Sequence, residues 1–303
     1  MKEIAGKTAV VTGGGSGIGR SISLALANAG ANVVIADIEE EAAKAVAEEV
    51  MACGVGSFGM QVDVSKLEDV KALSEAVYDK FKSVEILCNN AGVTLRPYRN
   101  HWDYSYEEWK WVMDINFWGV QHGHMVFVPN MLKTPGEKHI VNTSSVVTLY
   151  TNVKHAAYSS TKAAIDGLSQ CAREELKPYD IGVSLLHPGK IRTRLVTSDR
   201  LRFNDQKDAQ YNVDLWSDGF SNYDPDKSKT FSTSDIKKIV EMGIDPDIAS
   251  TPYEYIQPTN VGTYVVEGIL KNKAHIVTHP LPIDRIKSRF DGILAAEPTY
   301  PIK

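Results

Sequence analysis

Cysteine is scarce in this chain, and the few cysteines that occur form no pattern. Cys53, Cys88 and Cys171 are widely separated among 303 residues, without the spacing of a metal site. An odd, unclustered set argues against a disulfide scaffold and favours a reducing compartment. No pair of histidines has the carboxylate or thiolate partner that a zinc site needs. We therefore expect a cytoplasmic protein without a metal centre.

Long apolar runs and an excess of positive charge are also missing. No segment approaches the roughly 18 to 20 consecutive apolar residues that span a bilayer, and the first residues lack the apolar stretch of a signal peptide. The 38 acidic residues outnumber the 33 Lys and Arg residues, which gives a formal net charge of −5. This balance argues against nucleic acid as a partner. We expect a soluble protein that binds neither membranes nor nucleic acid.

What the chain does contain is a series of short apolar runs that alternate with helical patterns. The runs lack a polar face, as expected for strands of a parallel sheet covered by helices on both sides. The alternation predicts an α/β fold with a single doubly wound parallel sheet. Seven strands are expected at residues 7–11, 32–36, 57–62, 85–88, 140–143, 182–186 and 275–278. Helices are expected at residues 18–29, 39–52, 67–81, 106–131 and 260–270.

One long region, residues 194–258, breaks this alternation. It is polar and irregular, with scattered aromatic residues, and it follows the sixth candidate strand. From there it can cover the carboxyl ends of the strands, where open α/β sheets bind ligands. We expect a single domain over residues 1–303 with a substrate lid at 194–258. A solvated insertion or an oligomer contact is the alternative.

A glycine-rich turn at residues 12–19 follows the first candidate strand and opens the first helix. Glycine permits positive φ and lets a phosphate approach the backbone closely. The helix N-terminus adds unpaired amides and partial positive charge. Because the strand–turn–helix context is present, the turn predicts a dinucleotide site. Its expected contacts are Gly13, Ser16, Gly17, Ile18 and Gly19.

Asp37 ends the second candidate strand, about 20 residues beyond the glycines. A carboxylate at this place can accept both ribose hydroxyls of NAD and repels the extra phosphate of NADP. No Arg or Lys occupies position 16 or 38, where a cation could bind that phosphate. NAD is therefore the predicted cofactor, and a solvated Asp at a strand end is the alternative.

Two further segments fit the same ligand. Asp63 and Val64 follow the third strand and are expected at the adenine, although Asp63 is equally suited to capping the turn after it. Asn90, Ala91 and Gly92 follow the fourth strand. Small residues there would let the backbone approach the adenosine ribose.

Tyr158 and Lys162 suggest proton transfer. They are four residues apart in a helical pattern, so the phenol and the ammonium share one helix face. A phenol has a pKa near ~10 and is a poor base at neutral pH. A nearby cation favours its phenolate, so we expect Lys162 to lower the pKa of Tyr158.

Together these motifs resemble the short-chain dehydrogenase/reductase family. The glycine turn, Asn89-Asn90-Ala91-Gly92, Asn116, Ser145, the Tyr158/Lys162 pair and Pro188-Gly189 occur in that family's order and spacing. The resemblance covers approximately residues 5–193 and resumes at the seventh strand. It implies a Rossmann-like fold with a seven-stranded parallel sheet in a homodimer or homotetramer.

The resemblance also implies a role for each catalytic candidate. Tyr158 would exchange a proton with the substrate oxygen while hydride moves to or from nicotinamide. Lys162 would lower the pKa of that tyrosine and bind the nicotinamide ribose. Ser145 would donate a hydrogen bond to the same substrate oxygen, and Asn116 would hold a water that relays protons. Ser144 is the rival to Ser145, which is preferred because it lies thirteen positions before Tyr158, the family's usual interval.

The segment after the sixth strand resembles the family's nicotinamide-side loop. Pro188, Gly189, Ile191 and Thr193 are its expected cofactor contacts, with Ile191 and Thr193 at the carboxamide. We interpret His187, just before them, as a packed strand-end side chain rather than a catalyst.

The predicted function is NAD-dependent oxidation of a secondary alcohol to its ketone. Residues 94–104, 146–154 and 194–258 are expected to form the substrate pocket, and their aromatic and apolar character suggests a bulky, aromatic or alicyclic substrate. Arg96 or Arg99 could pair with an acidic group, unless both are simply exposed. An NADH-dependent carbonyl reductase and a non-catalytic dinucleotide-binding regulator are the alternatives.

Overall fold

The seven apolar runs form one sheet in which every strand pair is parallel. The computed structural model describes residues 1–96, 98–150, 152–191, 193–202 and 258–296. Each strand differs from its predicted range by at most two residues at either end. The strands are β1 Thr8–Thr12, β2 Asn32–Asp37, β3 Ser57–Gln61, β4 Ile86–Asn89, β5 Lys138–Thr143, β6 Ile181–His187 and β7 His275–Val277.

The strand order is β3-β2-β1-β4-β5-β6-β7. Strands β1 to β3 are added toward one edge of the sheet and β4 to β7 toward the other, so the order of addition reverses between β1 and β4. At such a reversal the connections leave toward opposite faces of the sheet and open a crevice at the carboxyl ends of the strands. All residues of β1, β4 and β5 are buried. This agrees with apolar runs that lack a polar face.

Helices cover both faces of the sheet, which confirms the doubly wound α/β prediction. On one face Ile22 packs in the same core as Val46 and Val265. On the other face Leu73 and Phe127 pack against the central strands. The α-helices are α1 Gly17–Asn28, α2 Glu40–Met51, α3 Leu67–Phe81, α4 Tyr106–Met113, α5 Gly119–Met131, α6 Ala156–Leu176, α7 Pro258–Leu270 and α8 Ile283–Ala295.

The helix predicted over 106–131 is not uniform. A π-helical segment, Asp114–Trp118, separates α4 from α5 and contains Asn116. A π-helical turn accommodates an extra residue and rotates the side chains that follow it. The period of apolar residues does not reveal such an insertion.

The expected lid is described only at its start. Residues Arg194–Leu201 form a 3₁₀-helix rather than an irregular loop, and Pro258 begins α7. Residues 203–257 of the expected lid lie outside the described residues. Within the described ranges, no helix combines the length and apolar character needed to cross a membrane.

Candidate active site

A cavity of about 490 Å³ opens at the carboxyl ends of the strands. The glycine turn, the segments after β2 to β6 and the 3₁₀-helix at 194–201 all contribute to its wall. The structure brings every predicted catalytic and cofactor-binding residue to this wall except Asn116. The described residues of 94–104 and 146–154, which were expected to form the substrate pocket, do not line it. The predicted residues that line it are Gly13, Ser16, Gly17, Ile18, Gly19, Asp37, Asp63, Val64, Asn90, Ala91, Gly92, Ser145, Tyr158, Lys162, Pro188, Gly189, Ile191 and Thr193.

The turn at residues 12–19 requires glycine for two reasons, backbone conformation and close packing. Gly13 and Gly17 have φ of +61° and +53°, in the left-handed region that favours glycine. A Cβ on Gly19 would lie 2.0 Å from the carbonyl oxygen of Gly13, so only glycine fits there. Ser16, at the N-cap of α1, makes no side-chain cap hydrogen bond. The first amides of α1 therefore suit an anion such as a pyrophosphate.

The carboxylate of Asp37 is held by two backbone amides at one end of the cavity. Gly15 N donates to Oδ2 at 2.9 Å, and Glu39 N donates to Oδ1 at 3.0 Å. Burial raises the pKa of Asp37, while these two hydrogen bonds oppose the rise. Each carboxylate oxygen has two lone pairs, so both can accept further hydrogen bonds from ribose hydroxyls.

Asp63 does cap the turn that follows it, and it lines the cavity as well. Its Oδ1 accepts hydrogen bonds from the backbone N and the hydroxyl of Ser65, at 3.1 and 2.6 Å. The two readings of this residue are therefore compatible.

Asn90 joins the ends of three strands at the centre of the cleft. Its Nδ2 donates to the Thr12 carbonyl oxygen at 3.1 Å, and its Oδ1 accepts from Thr143 Oγ1 at 3.3 Å. The glycine turn after β1 is thereby fixed relative to β4 and β5.

Tyr158 and Lys162 lie in α6, as the four-residue spacing predicts. Lys162 Nζ is 5.6 Å from the centre of the Tyr158 ring. The same nitrogen donates a hydrogen bond to the Thr143 carbonyl oxygen at 2.8 Å, which ties α6 to the end of β5. Burial lowers the pKa of Lys162 to about 8, and the Asp166 carboxylate opposes this shift.

The expected lowering of the Tyr158 pKa is not found. Burial raises the pKa of this phenol above its usual value, and a side-chain hydrogen bond with Ser145 only partly offsets the rise. The physical reason is that desolvation disfavours both the phenolate and the ammonium, so each shift favours the neutral form. In this arrangement desolvation is the largest influence on both pKa values.

The two neighbouring serines point to different partners. Ser144 Oγ donates to the Asp166 carboxylate on α6. Ser145 hydrogen-bonds with the Tyr158 phenol, and its Oγ also accepts from Val147 N at 3.3 Å. The structure therefore places Ser145, rather than Ser144, beside the phenol.

Asn116 is fully buried behind the cavity wall. Its Nδ2 donates to the Val93 carbonyl oxygen at 3.0 Å and to Thr161 Oγ1 at 3.1 Å, and its Oδ1 accepts from Val93 N at 2.8 Å. A methyl group on Gly92 would lie 3.3 Å from Asn116 Oδ1 and 3.6 Å from Lys162 Nζ. Asn116 thus stands close to Lys162, but its polar atoms already have protein partners.

Sequence reasoning missed a buried ion cluster beside the cleft. Arg99 pairs with Glu108 on α4, and Arg202 Nη1 lies 3.4 Å from the same Glu108 oxygen. Arg202 also pairs with Asp199 at 3.2 Å. Arg99 is therefore neither exposed nor directed at an acidic substrate. Glu108 and Arg202 are 94 positions apart, so no local motif announces that the two shorter-range pairs join into one cluster.

His187 is buried at the end of β6, as predicted. Its Nδ1 lies 3.3 Å from the Ser145 carbonyl oxygen, and its Nε2 lies 3.1 Å from His275 Nδ1. This histidine supports the chain at Ser145 and does not line the cavity. Among the residues that the structure describes, no group of three His, Cys, Asp or Glu is placed to hold a metal ion.

Comparison with known proteins identifies the family. A model of the short chain dehydrogenase family matches residues 7–202. This chain belongs to the short-chain dehydrogenase family. As a member it is a nucleotide-binding oxidoreductase with a single Rossmann-like domain.

Individual relatives agree with this assignment. The chain is 40% identical to 3-oxoacyl-(acyl-carrier-protein) reductase FabG of Staphylococcus aureus over 186 residues, which are 61% of this chain and 74% of that one. It is 32% identical to 1-deoxy-11-beta-hydroxypentalenate dehydrogenase of Streptomyces exfoliatus over 190 residues, 63% and 69% of the two chains. The crystal structure of a short chain dehydrogenase/reductase from Burkholderia phymatum in complex with NAD covers 100% of both chains with a TM-score of 0.81 and 30% identity.

Proposed function

We propose that this short-chain dehydrogenase uses NAD to oxidise a bulky secondary alcohol to its ketone, reversibly. The observation that carries the proposal is the position of Tyr158 on the cavity wall, beside the Ser145 hydroxyl and in front of the Lys162 ammonium. This arrangement offers a proton-transfer group, a hydrogen-bond donor and a cation to one substrate oxygen.

The residues of the cleft fit a nicotinamide dinucleotide. The glycine turn leaves no room for a Cβ at Gly19 and offers the amides of α1 to the pyrophosphate. Asp37 would bind the adenosine ribose and Asp63 the adenine. The backbone of Asn90, Ala91 and Gly92 would support the nucleotide along its length, and the residues after β6 would hold its nicotinamide end. The chemistry that a bound nicotinamide supplies is hydride transfer at the carbinol carbon.

The chain's own residues would manage the proton. During oxidation the Tyr158 phenolate takes the hydroxyl proton of the alcohol, while Ser145 donates a hydrogen bond to the same oxygen. The Lys162 ammonium stabilises the phenolate, and Asn116 would support the water that carries protons from Lys162 to solvent. The raised pKa of Tyr158 suits the reverse direction, because a protonated phenol can donate to the ketone oxygen.

NAD is proposed over NADP because of the acidic end of the cavity. With the adenosine ribose at Asp37, this carboxylate would repel an extra ribose phosphate. The Burkholderia phymatum structure, which is named as a complex with NAD, supports this choice. Dissociation constants for NADH and NADPH test this choice, and Asp37→Ala should show a smaller preference for NADH than the wild type. Equal catalytic efficiency of the wild type with both nucleotides would contradict the proposal.

A bulky substrate is proposed from the apolar side chains near the catalytic residues. The cavity wall includes Val93, Trp111, Ile115, Leu195 and Leu201. The dehydrogenase of a hydroxylated pentalenate among the relatives supports an alcohol donor of this kind. Such a wall favours an aromatic or alicyclic alcohol over a small polar one.

A second candidate is the reverse reaction, NADH-dependent reduction of a carbonyl compound. It is favoured by the Staphylococcus aureus relative, which is named as a reductase. The same Tyr158 and Ser145 would serve, with the phenol donating its proton. The two candidates are distinguished by which panel contains the substrate of highest kcat/KM, secondary alcohols with NAD or carbonyl compounds with NADH.

The decisive experiment is an NAD-reduction screen with aromatic, terpenoid and steroid secondary alcohols. Turnover by the wild type and its loss in Tyr158→Phe would support the proposal. NADH binding without turnover of any alcohol or ketone would instead favour a non-catalytic regulator.

The proposed assembly is a homodimer or homotetramer. Trp118, Met125 and Leu132, in and around α5, expose large apolar side chains that a second subunit could cover. Mass measurement by light scattering tests this, and a monomer at micromolar concentration would contradict it.

Residues 194–258 are proposed as a substrate lid within the single domain. The described start supports this, because Leu195 and Leu201 line the cavity. Limited proteolysis with and without NADH plus a substrate provides the test. Unchanged cleavage within 194–258 would argue for a simple insertion.

A further inference from the structure

Two arginines lie at the end of the cleft proposed for adenosine. Positions 16 and 38, which flank this site, carry no Arg or Lys. Arg194 Nη2 is 3.2 Å from Glu39 Oε1, and Arg200 Nη2 is 2.7 Å from Glu39 Oε2. All three residues line the same cavity as Asp37. The arginines follow β6, 155 and 161 positions after Glu39, so they approach this site only in the folded chain.

The Glu39 carboxylate pairs with both guanidinium groups. Partial burial alone would raise its pKa, but the ion pairs with Arg200 and Arg194 lower it below the usual value. The carboxylate is therefore charged at neutral pH and occupies both cations. Arg200 also acts on Asp37, where its charge favours the ionised carboxylate.

Guanidinium groups are the side chains best suited to phosphate, because their planar forks donate paired hydrogen bonds to its oxygens. In dinucleotide-binding folds an Arg near the ribose accommodates the 2′-phosphate of NADP. Here two such groups stand beside the ribose-binding Asp37, but both are paired with a carboxylate. The ion pairs are only partly buried, with side-chain exposures of 45% for Arg194, 29% for Arg200 and 32% for Glu39. A ligand phosphate can therefore reach them.

We propose that Glu39 determines cofactor choice by holding Arg194 and Arg200 in ion pairs, which keeps a latent site for a ribose 2′-phosphate closed. This inference rests on the proposed function, because it needs an adenine dinucleotide with its ribose at Asp37. Asp37 repels the phosphate directly, whereas Glu39 withholds the cations that would attract it. The cleft thus has two separate determinants against NADP.

The first test is Glu39→Gln, which keeps the size of the side chain and removes its charge. NADPH affinity relative to NADH should rise about 10-fold or more, because both cations lose the carboxylate that pairs with them. Arg200 Nη1 keeps its bonds to the Arg194 and Thr197 carbonyl oxygens, which hold it in place. Glu40→Gln is the matched control: Glu40 lies in the first turn of α2, pairs with Lys44 and does not line the cavity. It should leave the ratio unchanged. Dissociation constants are measured by nucleotide fluorescence, and binding of 2′,5′-ADP against 5′-AMP, which lacks only the 2′-phosphate, gives a readout independent of turnover.

The second test separates attraction by the arginines from simple loss of repulsion. In the Glu39→Gln background, replacing Arg194 and Arg200 with Gln should abolish the gain. In Glu39→Gln itself the gain should shrink as salt is raised, because salt screens the attraction between the partly exposed arginines and the 2′-phosphate. A gain that survives loss of both arginines would overturn the inference, as would an unchanged ratio in Glu39→Gln.

The outcomes also separate this inference from the function on which it rests. If the wild type binds neither NADH nor NADPH, the proposed function fails and this inference fails with it. If NADH binds and is turned over but Glu39→Gln keeps the wild-type ratio, only this inference fails. Melting temperatures of all variants confirm that they are folded.

Discussion

The side chain of Asn116 and the backbone of Val93 exchange two hydrogen bonds. Asn116 Oδ1 accepts from Val93 N at 2.8 Å, and Asn116 Nδ2 donates to Val93 O at 3.0 Å. Val93 lies just beyond the end of β4. The Asn116 amide thus gives its backbone the two hydrogen bonds that a strand residue receives from a neighbouring strand. The π-helical segment that contains Asn116 positions this amide, and the pair fixes the chain next to Gly92 and the cleft.

Asn116→Ala should destabilise the protein by about 1–3 kcal/mol, because it leaves both buried backbone groups of Val93 without partners. It should also reduce kcat, since the wall beside Lys162 loses its support. Urea unfolding and steady-state kinetics measure the two effects. Asn130→Ala is the control, because the Asn130 side chain makes only a long 3.4 Å bond to Val126 O and an exposed 2.9 Å bond from Lys133 Nζ. Equal loss of stability in the two variants would contradict this account.

Lys162→Met should abolish most activity and yet stabilise the fold. The buried ammonium is costly to desolvate, as its pKa of about 8 indicates, and methionine fills a similar volume without charge. The lost hydrogen bond to the Thr143 carbonyl oxygen offsets part of this effect. We expect a net gain of about 1 kcal/mol at pH 7, measured by urea unfolding. Lys177→Met, at an exposed lysine, is the control and should give no such gain.

The gain from Lys162→Met should depend on pH in a defined direction. The pKa of Lys162 is about 8 in the folded protein against a usual 10.5, so the unfolded chain binds more protons at this site between those values. Stability contributed by the wild-type lysine therefore rises with pH through that window. The advantage of the methionine variant should be largest below pH 8 and shrink toward pH 10. A constant difference would show that burial does not shift this pKa.

Gly19→Ala and Gly167→Ala should have opposite effects, although both glycines lie inside helices. A Cβ at Gly19 would lie 2.0 Å from Gly13 O, whereas one at Gly167 meets nothing within 4 Å. We expect Gly19→Ala to destabilise the protein by roughly 1–3 kcal/mol and to impair nucleotide binding. Gly167→Ala should stabilise it by about 0.5–1 kcal/mol and leave binding intact. Thermal melting and NADH titration provide the measurements, and normal NADH affinity in Gly19→Ala would rule out the turn as the phosphate site.

Tyr158→Phe keeps the ring and its packing but removes the hydroxyl. We expect kcat to fall by on the order of 10² to 10⁴, typical for loss of a positioned acid–base group, while NADH affinity is largely retained. Tyr179→Phe, at an exposed tyrosine, should behave like the wild type. Full activity in Tyr158→Phe would remove this residue from the mechanism.

The sequence predicted the fold and about half of the residues in the cavity wall, because both depend on local patterns. Apolar runs located the seven strands, and the glycine spacing located the turn whose clash at Gly19 is visible in the structure. Parallel strands end at one edge of the sheet, so residues that follow strands, such as Asp37 and Asn90, were bound to meet there.

The features that escaped prediction depend on contacts between distant residues. Glu39 meets Arg194 across 155 positions, and Glu108 meets Arg202 across 94, so neither pair leaves a local signal. The pKa of Tyr158 was expected to fall on the basis of one neighbouring charge. Its direction is set by desolvation, which depends on everything packed around the phenol and cannot be read from spacing.

The hydrogen bond from Lys162 to Thr143 has a consequence for how this protein loses activity. It joins the helix that carries the reactive phenol to a strand in the middle of the sheet. Because Lys162 and Thr143 are both buried, this hydrogen bond breaks only when the interior around it opens. Heat or denaturant should therefore leave each molecule either fully competent or fully unfolded, with the inactivation curve superimposed on the melting curve.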